Sequence, residues 1–576
     1  MLYLKLMSRL RLSWSKGLAL LLLLAAFVFV HRFFFSSGSF STHDGVHFIR
    51  LYNLEKVLGE GQFPPRWLPD LGKGYGYPFF NFYPPLAYLA GLLFRFFGAS
   101  FTLANNLSFV LAGLLGGIGM FFLTKSLFGF WGAVTATLFW LFLPYRALDL
   151  YVRGSLAEYW GMNLLPLVFY FAKRLFDLPT FKRALIFVFG LFLLLIAHNG
   201  VALIGFIWLS IFIIFLFIID RQGFFKKIRN QGAFFLFSFL LAFGLAAFFI
   251  LPAILEKDLT HITQMTSGYY AYYNHFPSLK QLFISRFWGY GGSVLGSEDK
   301  MSFQIGYFHW LVALVSLLFL VKELIFGQKN FWPKRENLCL MFFLISFWGF
   351  VFLAHQRSNF FWCLLPFLAF LQFPWRLLIF VGFSASVLAG FWAKEVKKKS
   401  WFILVFLILL ILNFTYFRPQ DFQNFDDDDY SSSPLWEYQQ REFLTDYLPK
   451  TVEEIPQEHF KKPLIITGAE IKINLNQADK LIFEAVSGEK EEAVIKRFYF
   501  PGWQAKINNK PAPIVTNKNG FMVLSLSEGE SLVEVVFKNT PTRKIANQIS
   551  LLSWGIFLFF VLTGNRIVKY FKKNND

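Results

Sequence analysis

His43 and Asp44 stand in the stretch Ser41-Thr42-His43-Asp44-Gly45-Val46-His47, one carboxylate between two imidazoles, directly after the first long apolar run. A carboxylate at the depth of lipid headgroups can act as a general base or ligate a divalent ion, and a reaction on a lipid-linked substrate needs such a group. An ordinary interfacial aspartate with histidine neighbours fits the same residues. Between two later apolar runs, the stretch Pro144 to Glu158 carries Arg146, Asp149, Arg153 and Glu158. A charge at mid-bilayer costs about 3 kcal/mol on insertion scales, so these side chains are expected to line a wet cavity or its rim. Arg146 and Arg153 could fork onto a phosphate, while Asp149 or Glu158 could hold a sugar hydroxyl or the arginine. A structural arginine–carboxylate network is the competing account. His198-Asn199 ends one apolar run and Phe373-Pro374-Trp375-Arg376 opens another. His198 also reads as a satisfied buried histidine, and Arg376 as a residue snorkelling to the surface.

Around these groups, Gly, Pro and aromatic residues alternate in Phe63 to Trp67, Gly72 to Pro78 and Phe82 to Leu86. Glycines let backbone approach a ligand, and aromatic rings stack on sugar faces or sit in the headgroup belt, so binding and anchoring both fit.

The elements that must position these residues are membrane spans. Of 576 residues 56% are hydrophobic, with 80 Phe and 17 Trp, more than an aqueous surface can hide. The net charge of +19 sits in short clusters between apolar runs, which points to topology signals facing anionic lipid and not to nucleic acid. About twelve spans are expected, given roughly 20 residues per crossing: Gly17 to Phe35, Leu103 to Leu123, Trp131 to Leu143, Tyr159 to Ala172, Ala184 to Ala197, Val201 to Ile219, Ala233 to Leu251, Tyr307 to Val321, Leu338 to Leu353, Leu377 to Ala393, Trp401 to Tyr416 and Ile549 to Thr563. Lys5, Arg9, Arg11 and Lys16 precede the first run, but an A-x-A cleavage site is missing, so it reads as a span and not a signal peptide.

Pro84 to Phe97 and Phe360 to Leu371 are ambiguous, and charge arbitrates. Treating both as interfacial or re-entrant puts Lys125, Lys173 and Arg174, Lys226, Lys227 and Arg229, Lys334 and Arg335, Lys394 and Lys397 to Lys399, and the tail Lys569, Lys572 and Lys573 on one side. By the positive-inside bias that side is cytoplasmic, with both termini, in a bacterial inner membrane. Cys339 and Cys363 then fall on opposite sides, so neither a disulfide framework nor a zinc ligand set is available.

The chain divides into a transmembrane domain over 1–416 with outer loops 36–102, 144–157, 252–306 and 355–374, an outer section over 417–548, and a last span with a basic tail over 549–576. The outer section opens with a solvated linker holding Asp426 to Asp429; a calcium site there is the lesser reading. Period-two alternation at Glu470 to Leu475, Leu481 to Ala485, Phe521 to Leu526 and Leu532 to Phe537, with turn residues at Asn508 to Pro511, Asn517 to Gly520 and Glu528-Gly529, predicts a small antiparallel β-sandwich.

This pattern resembles the GT-C superfamily of membrane glycosyltransferases. More closely, His43-Asp44, Gly74-Tyr75-Gly76-Tyr77-Pro78, Tyr83-Pro84-Pro85-Leu86, Tyr151-Val152-Arg153-Gly154 with Glu158, and Phe373-Pro374-Trp375-Arg376 resemble the bacterial membrane family labelled 6-pyruvoyl-tetrahydropterin synthase-related. The clustered histidines of a zinc-dependent pterin synthase are absent, so the label carries no pterin chemistry here. Phe498 to Ala505 and Glu528-Gly529 are similar to the C-terminal domain of YfhO-like proteins. The GT-C resemblance implies transfer of a sugar from a polyprenyl-phosphate carrier to an envelope glycan, lipid or protein at the outer leaflet. By that analogy Asp44 would deprotonate the acceptor or bind a divalent cation, and Arg153 or Arg376 would neutralise the departing phosphate. Asp44 has no second acid beside it, whereas some GT-C members carry a pair, so base and metal ligand both stay open. A lipid-linked-precursor flippase would want charges within the spans, which read as nearly charge-free. A non-catalytic envelope scaffold, with a β domain that binds glycan or protein, would make Asp44 dispensable.

Overall fold

The computed structural model describes residues 14–36, 38–220, 228–296, 298–326, 334–396, 400–423, 425–441 and 447–573. Lys5, Arg9, Arg11, Lys226, Lys227, Lys397 to Lys399 and the side chains of Lys569, Lys572 and Lys573 lie outside the described residues. The longer helices are α1 (Trp14–His31), α2 (His47–Gly59), α3 (Leu86–Phe96), α4 (Phe101–Leu141), α5 (Leu156–Asp177), α6 (Phe181–Leu195) and α7 (Asn199–Ile219). They continue with α8 (Ala233–Leu255), α9 (Tyr307–Phe326), α10 (Arg335–Ala354), α11 (Leu378–Glu395), α12 (Trp401–Asn413) and α13 (Pro541–Lys573).

Among the described residues, 8 helices are long and apolar enough to cross a membrane. About twelve were expected, and each expected run is helical; the difference has physical causes. Helix α4 counts once, although its chain reverses at Gly129, whose φ of 79° is not helical. A Cβ at Gly117 would lie 3.9 Å from Leu141 Cδ2, whereas a straight helix would separate those residues by roughly 36 Å. Helix α5 carries Glu158, Lys173, Arg174 and Asp177 at its two ends, and α6 and α12 are short, at 15 and 13 residues. The ambiguous Pro84 to Phe97 contains only the 11-residue α3, about 16 Å long against a hydrocarbon core of about 30 Å. Phe360 to Leu371 breaks into a short helix, Asn359–Leu364, and a 3-10 turn, Pro366–Leu371.

The first limb of α4 is the hub. A Cβ at Gly113 would collide with His31 of α1, one at Gly116 with Asn163 of α5, and one at Gly119 with the backbone of Leu167. Small residues thus let three helices approach closely without a hydrophobic driving force between them.

Among the described residues, nine strands form two antiparallel sheets, in the orders β1-β4-β8-β7 and β2-β3-β9-β5-β6. The strands are β1 (Leu464–Ile465), β2 (Ala469–Asn476), β3 (Lys480–Ser487), β4 (Glu491–Phe498), β5 (Trp503–Ile507), β6 (Lys510–Ala512), β7 (Val515–Thr516), β8 (Phe521–Leu526) and β9 (Gly529–Phe537). Alternate residues are buried in register: Leu481 opposite Val535, Phe483 opposite Val533, Ile495 opposite Met522 and Ala493 opposite Leu524. Asn508 and Asn509, with φ of 50° and 64°, close the β5–β6 hairpin, where a two-residue turn requires left-handed backbone.

The aromatic loop residues hold this region in place. Trp67, Tyr75 and Tyr77 are buried; Tyr75 packs on Phe498 and Phe521, Trp67 on Trp503, and Phe498 N donates to Tyr75 O at 3.1 Å. For Trp67, Tyr75 and Tyr77 the reading as sugar platforms or headgroup anchors is therefore corrected to interior packing, whereas Phe63 is exposed and Phe82 and Tyr83 line a cavity. The acidic run is not simply a solvated linker either. Asp427 accepts from Phe101 N at 2.8 Å and from Thr102 N at 3.3 Å, capping α4, while Asp426 caps the short helix Asp427–Ser431.

Candidate functional site: a cationic cavity beside Asp44

Asp44 is positioned through its backbone. His43 N donates to Val152 O at 3.0 Å and Asp44 N to Arg153 O at 2.8 Å, which ties the first loop to the turn Asp149–Arg153. That turn is a π-helical one closed by Gly154 at φ 61°, where a Cβ would strike Thr42, so Gly154 supplies both the handedness and the room for the 42–44 segment. The Asp44 carboxylate makes no hydrogen bond or ion pair among the described residues, and its charge acts on Arg50, Arg153, His43 and His47.

Glu158, in the first turn of α5, is fully buried and binds three groups. Its Oε1 lies 2.8 Å from Arg153 Nη1 and accepts from Tyr145 Oη, while its Oε2 accepts from Arg376 Nε at 2.8 Å. Arg153 Nη1 also pairs with Asp149 at 2.6 Å, and its guanidinium lies 4.7 Å from the Trp375 ring centroid. Arg376 Nη1 is fixed by Leu371 O at 2.7 Å and Gln372 Oε1 at 3.0 Å. Arg153 Nε and Nη2, and Arg376 Nη2, carry no hydrogen bond within the protein among the described residues. These are the donors left for a ligand.

They line a cavity of about 740 Å³ together with His43, Asp44, Arg50, His198 and Lys257. Its other wall is apolar, formed by Leu203 and Phe206 of α7 and Phe243, Ile250 and Ile254 of α8. Leu203, Phe243 and Ile254 are exposed on the helix surface, so the cavity continues into the flank between two spans. One compartment thus joins a polar end rich in arginine to an apolar groove, the shape and chemistry of an amphiphilic anion.

Of the residues singled out in the sequence, His43, Asp44, Arg153, His198 and Arg376 line this cavity, whereas Arg146, Asp149 and Glu158 stand behind it. Arg146 is not placed to fork onto a phosphate: it is fully buried and bonded to Trp140 O at 3.0 Å, Tyr159 Oη at 2.6 Å and Asn163 Oδ1 at 2.7 Å. Asp149 is equally inaccessible; burial pushes its carboxyl well above the usual range, with Glu158 adding to the effect. His198 caps α7, its Nδ1 accepting from Val201 N at 3.1 Å. Nε2 of His198 therefore carries the proton, 3.9 Å from Glu158 Oε2. His43 Nε2 meets Tyr290 O at 2.9 Å, and burial lowers its pKa, which leaves a neutral ring. Burial takes His47 down to about 4; it bridges Gly154 O and Tyr88 Oη and is a strut for the turn.

Sequence reasoning missed Arg50 and Lys257. Arg50 sits on the buried face of α2 with Leu54 and Val57, in line with Val46 just before the helix, a basic residue in an otherwise apolar stripe, and that spacing was a usable signal. Lys257 follows the end of α8 and had no pattern to mark it.

The family described as 6-pyruvoyl-tetrahydropterin synthase related domain, a membrane protein, matches residues 80–419, more than half of the chain. The chain belongs to that family. The matched stretch holds Arg146, Asp149, Arg153, Glu158, His198 and Arg376; His43 and Asp44 precede it and both sheets follow it. An uncharacterized protein of Lactococcus lactis subsp. cremoris (strain MG1363) is 26% identical over 241 residues, 40% of this chain and 38% of that protein. The crystal structure of the Archaeoglobus fulgidus oligosaccharyltransferase in its apo form aligns with a TM-score of 0.40 at 13% identity, over 76% of this chain and 57% of that one. The chain therefore spans less than two thirds of either protein.

A divalent cation does not fit the residues present. Among the described residues no three His, Cys, Asp or Glu side chains group as ligands, and the one carboxylate lining the cavity is set among Arg50, Arg153 and Arg376, whose charges oppose a dication.

Proposed function

We propose that this family member is a membrane glycosyltransferase that moves a sugar from a polyprenyl-phosphate carrier to an envelope glycan, lipid or protein, on the outer face of a bacterial cytoplasmic membrane. The spans cross about twelve times, both termini are cytoplasmic and the two sheets face outward. In this reading the acceptor hydroxyl or amide loses its proton to Asp44 as its oxygen or nitrogen bonds to the anomeric carbon. The bond from that carbon to the phosphate oxygen breaks, and the polyprenyl phosphate leaves with the bonding pair, stabilised by Arg153 and Arg376. The prenyl tail lies in the groove between α7 and α8.

The observation that carries this reading is the sharing of one cavity by an unpaired carboxylate, Asp44, and two arginines with free donor nitrogens. The resemblance of His43-Asp44 to the GT-C loop carboxylate supports it independently. The test is a strain carrying Asp44→Asn or Arg153→Ala, with membrane insertion verified, assayed for surface glycans and for polyprenyl-linked sugars. Loss of one surface sugar with accumulation of its carrier is expected in both. Unchanged glycans and carriers in both strains would remove the enzyme reading.

A further inference from the structure

At the opposite end of the spans a second pocket, of about 330 Å³, lies between the end of α5 and the start of α6 and is lined by Tyr170, Phe171, Arg174, Lys182, Arg183 and Ile186. Helix α5 begins beside the cavity at Leu156 and reaches this pocket at Tyr170 to Arg174, so the two sites are roughly 21 to 27 Å apart along its axis. The pocket has three cationic side chains and no acidic one in its lining. The nearby Asp177 is taken by Lys173, at 2.6 Å. Arg183 is held in place by its own fold, with Nη1 donating to Arg174 O at 2.9 Å and Leu178 O at 3.2 Å. The side chains of Arg174 and Lys182 make no hydrogen bond or ion pair among the described residues. Ile186 lines the pocket and is 41% exposed, and Phe189, three residues further toward the middle of the span and also 41% exposed, lies beside Phe557 of α13.

The geometry points to a site for one anionic diacyl phospholipid, its phosphate between Arg174, Lys182 and Arg183 and an acyl chain along Ile186 and Phe189. Charge complementarity selects the lipid: each basic group near an anionic membrane surface contributes favourably, and a phosphate among three cations has no carboxylate to compete with. The apolar continuation favours a lipid over free phosphate, which would gain nothing from Ile186 and Phe189. The site is independent of the chemistry proposed at Asp44.

The purified full chain in zwitterionic detergent, titrated with short-chain phosphatidylglycerol and followed by native mass spectrometry, tests this. Arg174→Gln with Lys182→Gln, which leaves the Arg183 cap intact, is expected to weaken binding on the order of 30-fold. Arg229→Gln with Lys334→Gln, which removes the same charge elsewhere on that end, should change it by less than about threefold. Arg174→Lys with Lys182→Arg should retain binding, and guards against a folding defect in the double glutamine variant. The inference is overturned by equal weakening in both charge-removing pairs, by phosphatidylcholine binding as tightly, or by inorganic phosphate displacing the lipid at low millimolar concentration.

Discussion

Arg153 and Arg376, from separate connections of the chain, are held together by one carboxylate: Glu158 places Oε1 2.8 Å from Arg153 Nη1 and Oε2 2.8 Å from Arg376 Nε. Glu158 is fully buried, so its charge is balanced by these partners and not by water. Removing one partner of a buried ion pair strands the others and typically costs about 3 to 5 kcal/mol. Glu158→Gln is therefore expected to lower the thermal unfolding temperature of the purified chain markedly, by more than Asp44→Asn does. Asp44, with no bond to lose, should change stability by less than about 1 kcal/mol. Equal melting shifts for the two variants would contradict this division into a frame and a free carboxylate.

Arg146 supplies a contrasting test. Its three bonds go to neutral acceptors, Trp140 O, Tyr159 Oη and Asn163 Oδ1, and need the fixed fork of a guanidinium. Arg146→Lys is expected to cost about 2 kcal/mol, from acceptors left unpaired in a buried setting. Binding of a polyprenyl phosphate, read by fluorescence titration of the folded protein, should be unaffected. Arg153→Lys should show the opposite pattern, with stability moved little and binding weakened roughly tenfold. If Arg146→Lys weakened binding as much as Arg153→Lys, Arg146 would belong to the cavity after all.

How much of this was legible in the sequence depends on whether the signal was local. The apolar runs were read correctly as helices because lipid leaves the backbone no other partner, and β3, β8 and β9 because alternation survives in Leu481 to Ala485, Phe521 to Leu526 and Leu532 to Phe537. Strand β4 went unseen although Glu491 to Phe498 alternates on its buried face; its charged residues Glu491, Glu492, Lys496 and Arg497 masked the period. The grouping of Arg153, Glu158 and Arg376 was expected from their shared side and depth. What depth could not separate was which of four charged residues in Pro144 to Glu158 faces the cavity, because the π turn from Asp149 to Arg153 shifts the angular spacing away from a helix or strand. Asp427 capping α4 was also beyond reach, since the contact joins residues far apart in the chain.

A pH effect is expected in the loop that holds His43. Asp299 is pushed up from 3.8 to about 6, first by burial, against hydrogen bonds from Met301 N and Gln281. A carboxyl whose folded pKa is raised favours the folded loop when protonated, so its contribution is fully present below about pH 4 and lost as pH rises through 6. Hydrogen exchange across residues 281–301 should therefore be slower at pH 5 than at pH 7.5, after correction for intrinsic rates. Asp299→Asn should flatten that difference. Tyr290, whose carbonyl meets His43 Nε2, lies within the segment, so the loop's looseness would be felt at the cavity.

The last helix is fastened by a second buried charge cluster, with two cations around one carboxylate. Glu256 Oε2 accepts from Arg543 Nε at 2.8 Å and Asn81 Nδ2 at 2.8 Å, and Oε1 from Thr540 Oγ1 at 2.6 Å; Arg66 reaches Asn81 and, at 2.9 Å, Asn547. Arg543 is packed between the rings of Phe500 and Phe537, each centroid 5.0 Å from its Cζ, while its Nη1 and Nη2 have no protein partner among the described residues. Among the described residues the guanidinium therefore depends on Glu256 for its only ion pair and on two aromatic faces for the rest. Glu256→Gln should destabilise more than Arg543→Met does, since the first leaves two buried cations unmatched and the second removes one along with its unpaired nitrogens. Combining them should recover part of the loss, with a coupling energy above about 1 kcal/mol in a double-mutant cycle measured by chemical denaturation. Strictly additive losses would mean that Glu256 and Arg543 stabilise α13 independently of one another.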